Sequence, residues 1–174
     1  GLGVSSVCLA TSRKQFDKAL LQSVSQHPDL LIGARTAQAV KEAIGQVAGE
    51  GEESAAVKGR CLTSGLPRQI TLTAQETAEA FAPVAEVIVA AVHRVLERTP
   101  PELAADVAES GLLLTGGGSL LRGLDTLLAQ RTGMEAHVAA APIQSVALGL
   151  LETLPDLSKR KEGVLYLARR QWSL

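Results

Sequence analysis

Three consecutive glycines, Gly116, Gly117 and Gly118, separate the run 112–115 (LLLT) from the leucine-rich stretch LLRGLD. A strand, a glycine turn and a helix in that order leave several backbone N–H groups at the positive end of the helix dipole, with no side chain to keep an anion away. A nucleotide can approach closely at such a corner. A bare TGGG also fits a plain tight connection that needs positive φ. Gly1 and Gly3, around Leu2, precede a second apolar run and offer either another phosphate-facing bend or a frayed terminus. Gln38 and Lys41 lie one helical turn apart, where they could hydrogen-bond a ribose or contact a base edge, or simply form a solvated face.

Other chemistries find little support. No Cys/His or Ser/His/Asp arrangement stands in a recognisable setting, and His27, His93 and His137 fall in unrelated segments. Glu50, Glu52 and Glu53 crowd a glycine-rich loop and read as solvated charge. Cys8 and Cys61 have no metal-ligand spacing and read as buried, reduced thiols. With 17 basic and 18 acidic side chains, and only Phe16, Phe81, Tyr166 and Trp172 as aromatics, the chain offers neither the charge nor the stacking platforms for nucleic acid. No apolar run reaches membrane-span length and no basic-then-apolar leader is present, so a cytoplasmic location is expected. Gly1 stands first and the sole methionine is Met134, which suggests that sequence precedes this chain.

At 174 residues, 46% of them apolar, one sizeable core is expected. The pattern predicts a strand over 4–10, helices over 13–25 and 34–44, and a flexible loop over 45–54. Strands around 56–62 and 69–72 follow, joined by TSGLP as a hairpin. Thr73 with Glu76, and Thr99 with Glu102, have capping-box form and open helices to about 98 and 111, with Pro83 kinking the first. A strand at 112–115 leads through the glycine turn directly into a helix carrying Leu120, Leu121, Leu124, Leu127 and Leu128, stopped by Gly133. A last strand over 134–139, a helix over 142–154 and a basic tail over 159–174 complete the chain; the tail fits a membrane or partner contact or a loose terminus.

Taken in order, IGARTAQAVKEAIG, VKGRCLTSGLPRQITLT and VLERTPPELAADVAESGLLLTGGGSLLRGLDTLLAQRTGM resemble the carboxy-terminal half of MreB, the bacterial actin homologue, over about residues 29–154. The succession TPPELAAD, LTGGG and LLRGLD is the specific part. The resemblance implies an actin-like (ribonuclease H-like) α/β fold, with residues 1–25 and 73–158 in the larger subdomain and a helix-plus-hairpin insertion over 26–72. It implies ATP with Mg in a cleft completed by an N-terminal half, weak ATPase activity linked to polymerisation, and cytoplasmic filaments beneath the membrane that guide wall synthesis and rod shape. Expected partners are further copies, the missing half or homologous subunits, and the membrane and wall-synthesis complex; nucleic acid is not among them.

By the same resemblance Gly116, Gly117, Gly118 and Ser119 match an adenosine-contacting turn. Gln38 and Lys41 match a helix whose acid and lysine contact adenosine, and Gly1 and Gly3 match a phosphate loop. Departures accompany these matches. The family's Asp-x-Gly-Gly-Gly-Thr-Thr is GLGVSSV here, its helix acid is Gln38, its Glu-Asp-Pro is Ala140-Ala141-Pro142, and a strand and turn between Ala10 and Phe16 are largely dropped. No catalytic residue is expected in this chain. The departures leave two further readings open: a diverged, non-hydrolysing MreB-like filament-binding or regulatory module, and, more remotely, a small stand-alone α/β enzyme.

Overall fold

A computed structural model describes residues 13–26 and 29–157. The expected strand over 4–10, Gly1, Gly3, Cys8, His27 and the tail over 159–174 lie outside the described residues. The first helix, α1 (Arg13–Gln26), carries Phe16, Leu20 and Val24 at a spacing of four, and all three are buried. Its partner α2 (Ala34–Ile44) buries Ala37, Val40 and Ile44 in the same manner. Against these helices lies an antiparallel sheet of β1 (Leu30–Leu31), β2 (Ser54–Cys61) and β3 (Pro67–Thr73) in that order, with Val57 opposite Ile70 and Ala55 opposite Leu72. The hairpin is therefore present, and the two-residue β1 adds an edge too short to leave a period-2 signature.

The long helix α3 (Ala74–Glu97) opens on the expected capping box: Glu76 N–H donates to the Thr73 hydroxyl at 3.2 Å, and Thr73 N–H to the Glu76 carboxylate at 2.8 Å. It runs as one element through Pro83, held on either side by buried Phe81 and Ala85. Phe81 meets Phe16 edge to face, ring centroids 5.3 Å apart, which ties α3 to α1. The next helix, α4 (Pro101–Ser110), departs from expectation. Its N-cap is Pro100 with no side-chain cap, and the Thr99 hydroxyl donates back to the Val95 carbonyl at 2.8 Å instead. A residue before proline is steered away from helical geometry, so Thr99 and Pro100 stay outside the helix, which starts at the second proline, Pro101.

The remaining unit pairs β4 (Leu112–Leu114) with β5 (Ala136–Val138) in parallel, Leu112 opposite Ala136, with α5 (Leu124–Thr132) as the crossover. The helix α6 (Ser145–Leu157) ends the described chain. Buried Leu124 and Leu128 join Phe16, Leu20, Phe81 and Val89 in one hydrophobic cluster.

The segment over 45–54 is irregular, as its composition suggests, but its first residues are not on the surface. Gln46 and Val47 are buried; Val47 N–H donates to the Arg122 carbonyl at 2.9 Å, and Ala74 N–H donates to the Glu53 carbonyl at 2.8 Å. Fully buried Thr77 completes the seam, because its hydroxyl accepts from Gln46 N–H at 3.3 Å and sits 2.7 Å from the Ala74 carbonyl and 3.2 Å from that of Ile44. Replacing this hydroxyl by a methyl, Thr77→Val, keeps the volume but strands buried polar groups, at a cost of about 1–3 kcal/mol. Urea unfolding should show it as a lowered midpoint at unchanged m-value; an unshifted midpoint would remove Thr77 from the account.

Candidate functional site

Between the end of α2 and the glycine turn lies a cavity of about 250 Å³. Lys41, Glu42 and Gly45 form one side, and Gly117, Gly118 and Arg122 another. Phe16, Leu120 and Ile143 give it an apolar lining. Two sites separated by some 75 residues of sequence, Lys41 and the glycine turn, thus face one space.

The glycine turn differs from expectation in one respect. It does not run directly into α5 but into a short 3-10 turn, Gly117–Leu120, and α5 begins only at Leu124. The leucine periodicity is broken at Arg122 and Gly123: Arg122 bridges to Gln46, and Gly123 caps α5 in the left-handed region at φ 76°. The dipole at the cavity is consequently not that of α5. Available donors come instead from the 3-10 turn, whose first N–H groups have no partner within it. Gly116 starts that turn at φ 81°, and its N–H donates to the Pro142 carbonyl at 2.7 Å. Ser119 is buried and braces the turn, its hydroxyl donating to the Gly116 carbonyl at 2.7 Å. Gly117 and Gly118 therefore line the cavity, whereas Gly116 and Ser119 shape the loop behind them.

On the opposite side Lys41 is nearly buried, its side chain 9% exposed, and its ammonium is ion-paired with the Asp17 carboxylate of α1. The cation also stands in the last turn of α2, where the helix dipole favours it. Gln38 is not part of this lining. It borders a separate groove between α1 and α2 with Lys14, Asp17, Lys18 and Arg35, and its amide donates to Glu42 at 2.9 Å. Arg122 is paired with Glu53 at 2.6 Å, both about half exposed. Asp17 and Glu42 were not anticipated. Asp17 sits 24 residues from Lys41 and carries no local signal, while Glu42 could have been found as the i+4 neighbour of Gln38.

Cys61 is free and buried at the end of β2, as expected, and is not among the cavity residues. Its thiol is lowered to about 7, chiefly by the Ser64 hydroxyl and the backbone N–H groups of Ser64 and Thr63. Among the described residues no group of three or more His, Cys, Asp or Glu is placed to hold a metal ion, and no helix is long and apolar enough to cross a membrane.

Residues 2–162 match the family MreB/Mbl protein. The chain belongs to that family. It is 41% identical over 162 residues to the cell shape-determining protein Mbl of Bacillus subtilis (strain 168), covering 91% of this chain and 49% of that one. Against the cell shape-determining protein MreB of Escherichia coli (strain K12) it is 43% identical over 146 residues, covering 83% and 42%. The crystal structure of MreB5 of Spiroplasma citri bound to ADP superposes with a TM-score of 0.88 at 27% identity, covering 92% of this chain and 49% of that one. A MamK double helical filament superposes at 0.66 and 24% identity, covering 79% and 42%, which speaks for the fold alone. The chain thus carries an actin-like α/β fold and spans about half the length of the curated relatives that it matches.

Within this MreB/Mbl chain the cavity wall hangs on Gly123, where a β-carbon would lie 2.1 Å from the Ala48 carbonyl oxygen at a φ that side chains rarely adopt. Gly123→Ala should therefore destabilise by roughly 1–3 kcal/mol, read as a lower melting temperature. Unaltered melting would mean that the seam between 46–48 and 121–123 does not constrain the fold.

Proposed function

We propose that this chain is the nucleotide-binding half of an MreB-like actin, forming one wall of an ATP cleft in a protein that self-associates into filaments controlling rod shape and wall synthesis. The observation that carries this reading is that Lys41 shares one cavity with Gly117 and Gly118. A nucleotide fits the residues present: a β-carbon built at Gly118 meets nothing within 4 Å, so the turn is open to a ligand, and a fixed cation stands across from it. The volume lies below the roughly 300–1,000 Å³ of enclosed ligand sites, as suits one wall of a cleft. MreB5 of Spiroplasma citri, the structural relative bound to ADP, supports the ligand class.

In this reading Gly117 and Gly118 offer backbone donors and close approach, Gly116 and Ser119 hold the turn, Lys41 supplies positive charge, and Gly1 and Gly3 belong to the phosphate side. ATP bound there would supply the bond whose cleavage is linked to assembly. Mg would be held by phosphate oxygens and the other half of the protein, and no ligand for it is assigned here. Residues 1–25 and 73–158 would form the larger subdomain and 26–72 the smaller one. The filament would lie in the cytoplasm beneath the membrane, in contact with the wall-synthesis complex. The second reading, a non-hydrolysing filament-binding or regulatory module, is favoured by GLGVSSV and by Gln38 in place of an acid.

Sedimentation and thermal shift of the complete protein with ATP and Mg separate the two. Binding at a hundredfold excess over Kd should stabilise by about 2.7 kcal/mol, and filaments should pellet. Pelleting and thermal shift both absent would overturn the ATP-cleft reading in favour of the inert module. Gly118→Val should leave stability within about 1 kcal/mol, because the added side chain enters open space, yet should weaken ATP on the order of tenfold or more through lost backbone contacts. Unchanged affinity would place the nucleotide elsewhere.

A further inference from the structure

Three cations stand around the groove between α1 and α2 without a counter-charge of their own. Lys14 and Lys18 of α1 and Arg35 of α2 line this space of about 620 Å³. All three are exposed, and none has an ion pair or hydrogen bond among the described residues. The one carboxylate of the lining, Asp17, is held by Lys41, which lines the cavity of the glycine turn, so that ion pair stands between the two spaces. We propose that the groove is an anion site separate from the nucleotide cavity, and that it takes a compact, multiply charged phosphate such as pyrophosphate.

The fold places this charge where helix electrostatics oppose it. Lys14 is the second residue of α1 and Arg35 the second of α2, at the positive ends of the two helix dipoles, and neither first turn carries an acid. Lys14 and Lys18 are like charges four residues apart, which repel on one helix face. The formal net charge of the whole chain is −1, so the excess belongs to the groove and not to the chain at large. An anion with clustered charge relieves all of these conflicts together. The planar guanidinium of Arg35 matches two phosphate oxygens at once, and the two ammonium groups act as point charges for the others. A compact ligand fits better than a flat anionic surface, because the cations border a concavity and Leu21 and Ala34 are the only apolar residues described in its lining.

The test is calorimetric titration of the complete protein with sodium pyrophosphate at low and raised salt. Binding with a Kd of about 0.1 mM or tighter is expected, weakening as salt screens it. Lys18→Glu with Arg35→Glu, both at exposed positions, should weaken pyrophosphate by about tenfold or more without lowering the melting temperature. Lys18→Arg with Arg35→Lys should retain binding, and Gly118→Val should leave it unaffected. Sedimentation with vesicles of phosphatidylcholine and phosphatidic acid identifies the source of the phosphate. Vesicle and pyrophosphate binding that are both lost on charge reversal support the site with a lipid-borne phosphate; pyrophosphate binding alone supports it with a soluble one. Vesicle binding without pyrophosphate binding overturns the proposal in favour of a membrane contact. Pyrophosphate binding that survives the charge reversal, or that Gly118→Val abolishes, places the anion outside the groove and overturns it, as does binding of neither probe.

Discussion

Everything that frames the cavity depends on a short piece of backbone, Gln46 and Val47, being fixed from two directions at once. Through the Thr77 hydroxyl, which accepts from Gln46 N–H, it is tied to the first turn of α3; through Val47 N–H and the Arg122 carbonyl it is tied to the approach to α5. Buried backbone groups must find partners, and here each of those partners belongs to a different element. The end of α2 and the glycine turn are far apart in sequence, and these hydrogen bonds join the chain that follows each of them. The seam converts a composition that reads as loop into the joint that holds Lys41 opposite Gly117 and Gly118.

The joint also explains how a cation is kept in place. Lys41 is largely withdrawn from water, which would be costly for a lone ammonium, and the Asp17 carboxylate offsets that cost from the neighbouring helix. Asp17 can reach it because α1 and α2 share a core through Phe16, Leu20, Ala37 and Val40. Side-chain packing therefore sets the electrostatics of the cavity: shifting α1 against α2 would part the ion pair before it disturbed the glycine turn.

The sequence made the periodic elements legible and hid the non-local ones. α1, α2 and α3 announce themselves through apolar residues at helical spacing, and the Thr73/Glu76 capping box appears as read. The Thr99/Glu102 box does not form, because tandem prolines shift the helix start, and a helix continuous with the glycine turn does not form, because Gly123 enters the left-handed region. Both failures share a cause: a local pattern was extended across a residue whose backbone obeys a different rule. β1 and the seam at Gln46 depend on partners far along the chain, and no window of neighbouring residues contains them. In the site, glycines and lysine were readable by type, whereas the Asp17 partnership and the place of Glu42 required the fold.

That division bears on why this family member can diverge where it does. Gly117 and Gly118 contribute main-chain atoms, whose position is fixed by Gly116, Ser119 and the Pro142 carbonyl rather than by any group facing the cavity. Such a wall tolerates substitutions nearby so long as the backbone path survives. Side chains on α2 are under the opposite constraint: Gln38 and Glu42, hydrogen-bonded one turn apart on an exposed face, can change the groups they present without altering the helix that carries them. The fold can thus be retained at high fidelity while the chemistry presented to a ligand is redistributed, because the two are carried by different atoms of the same elements.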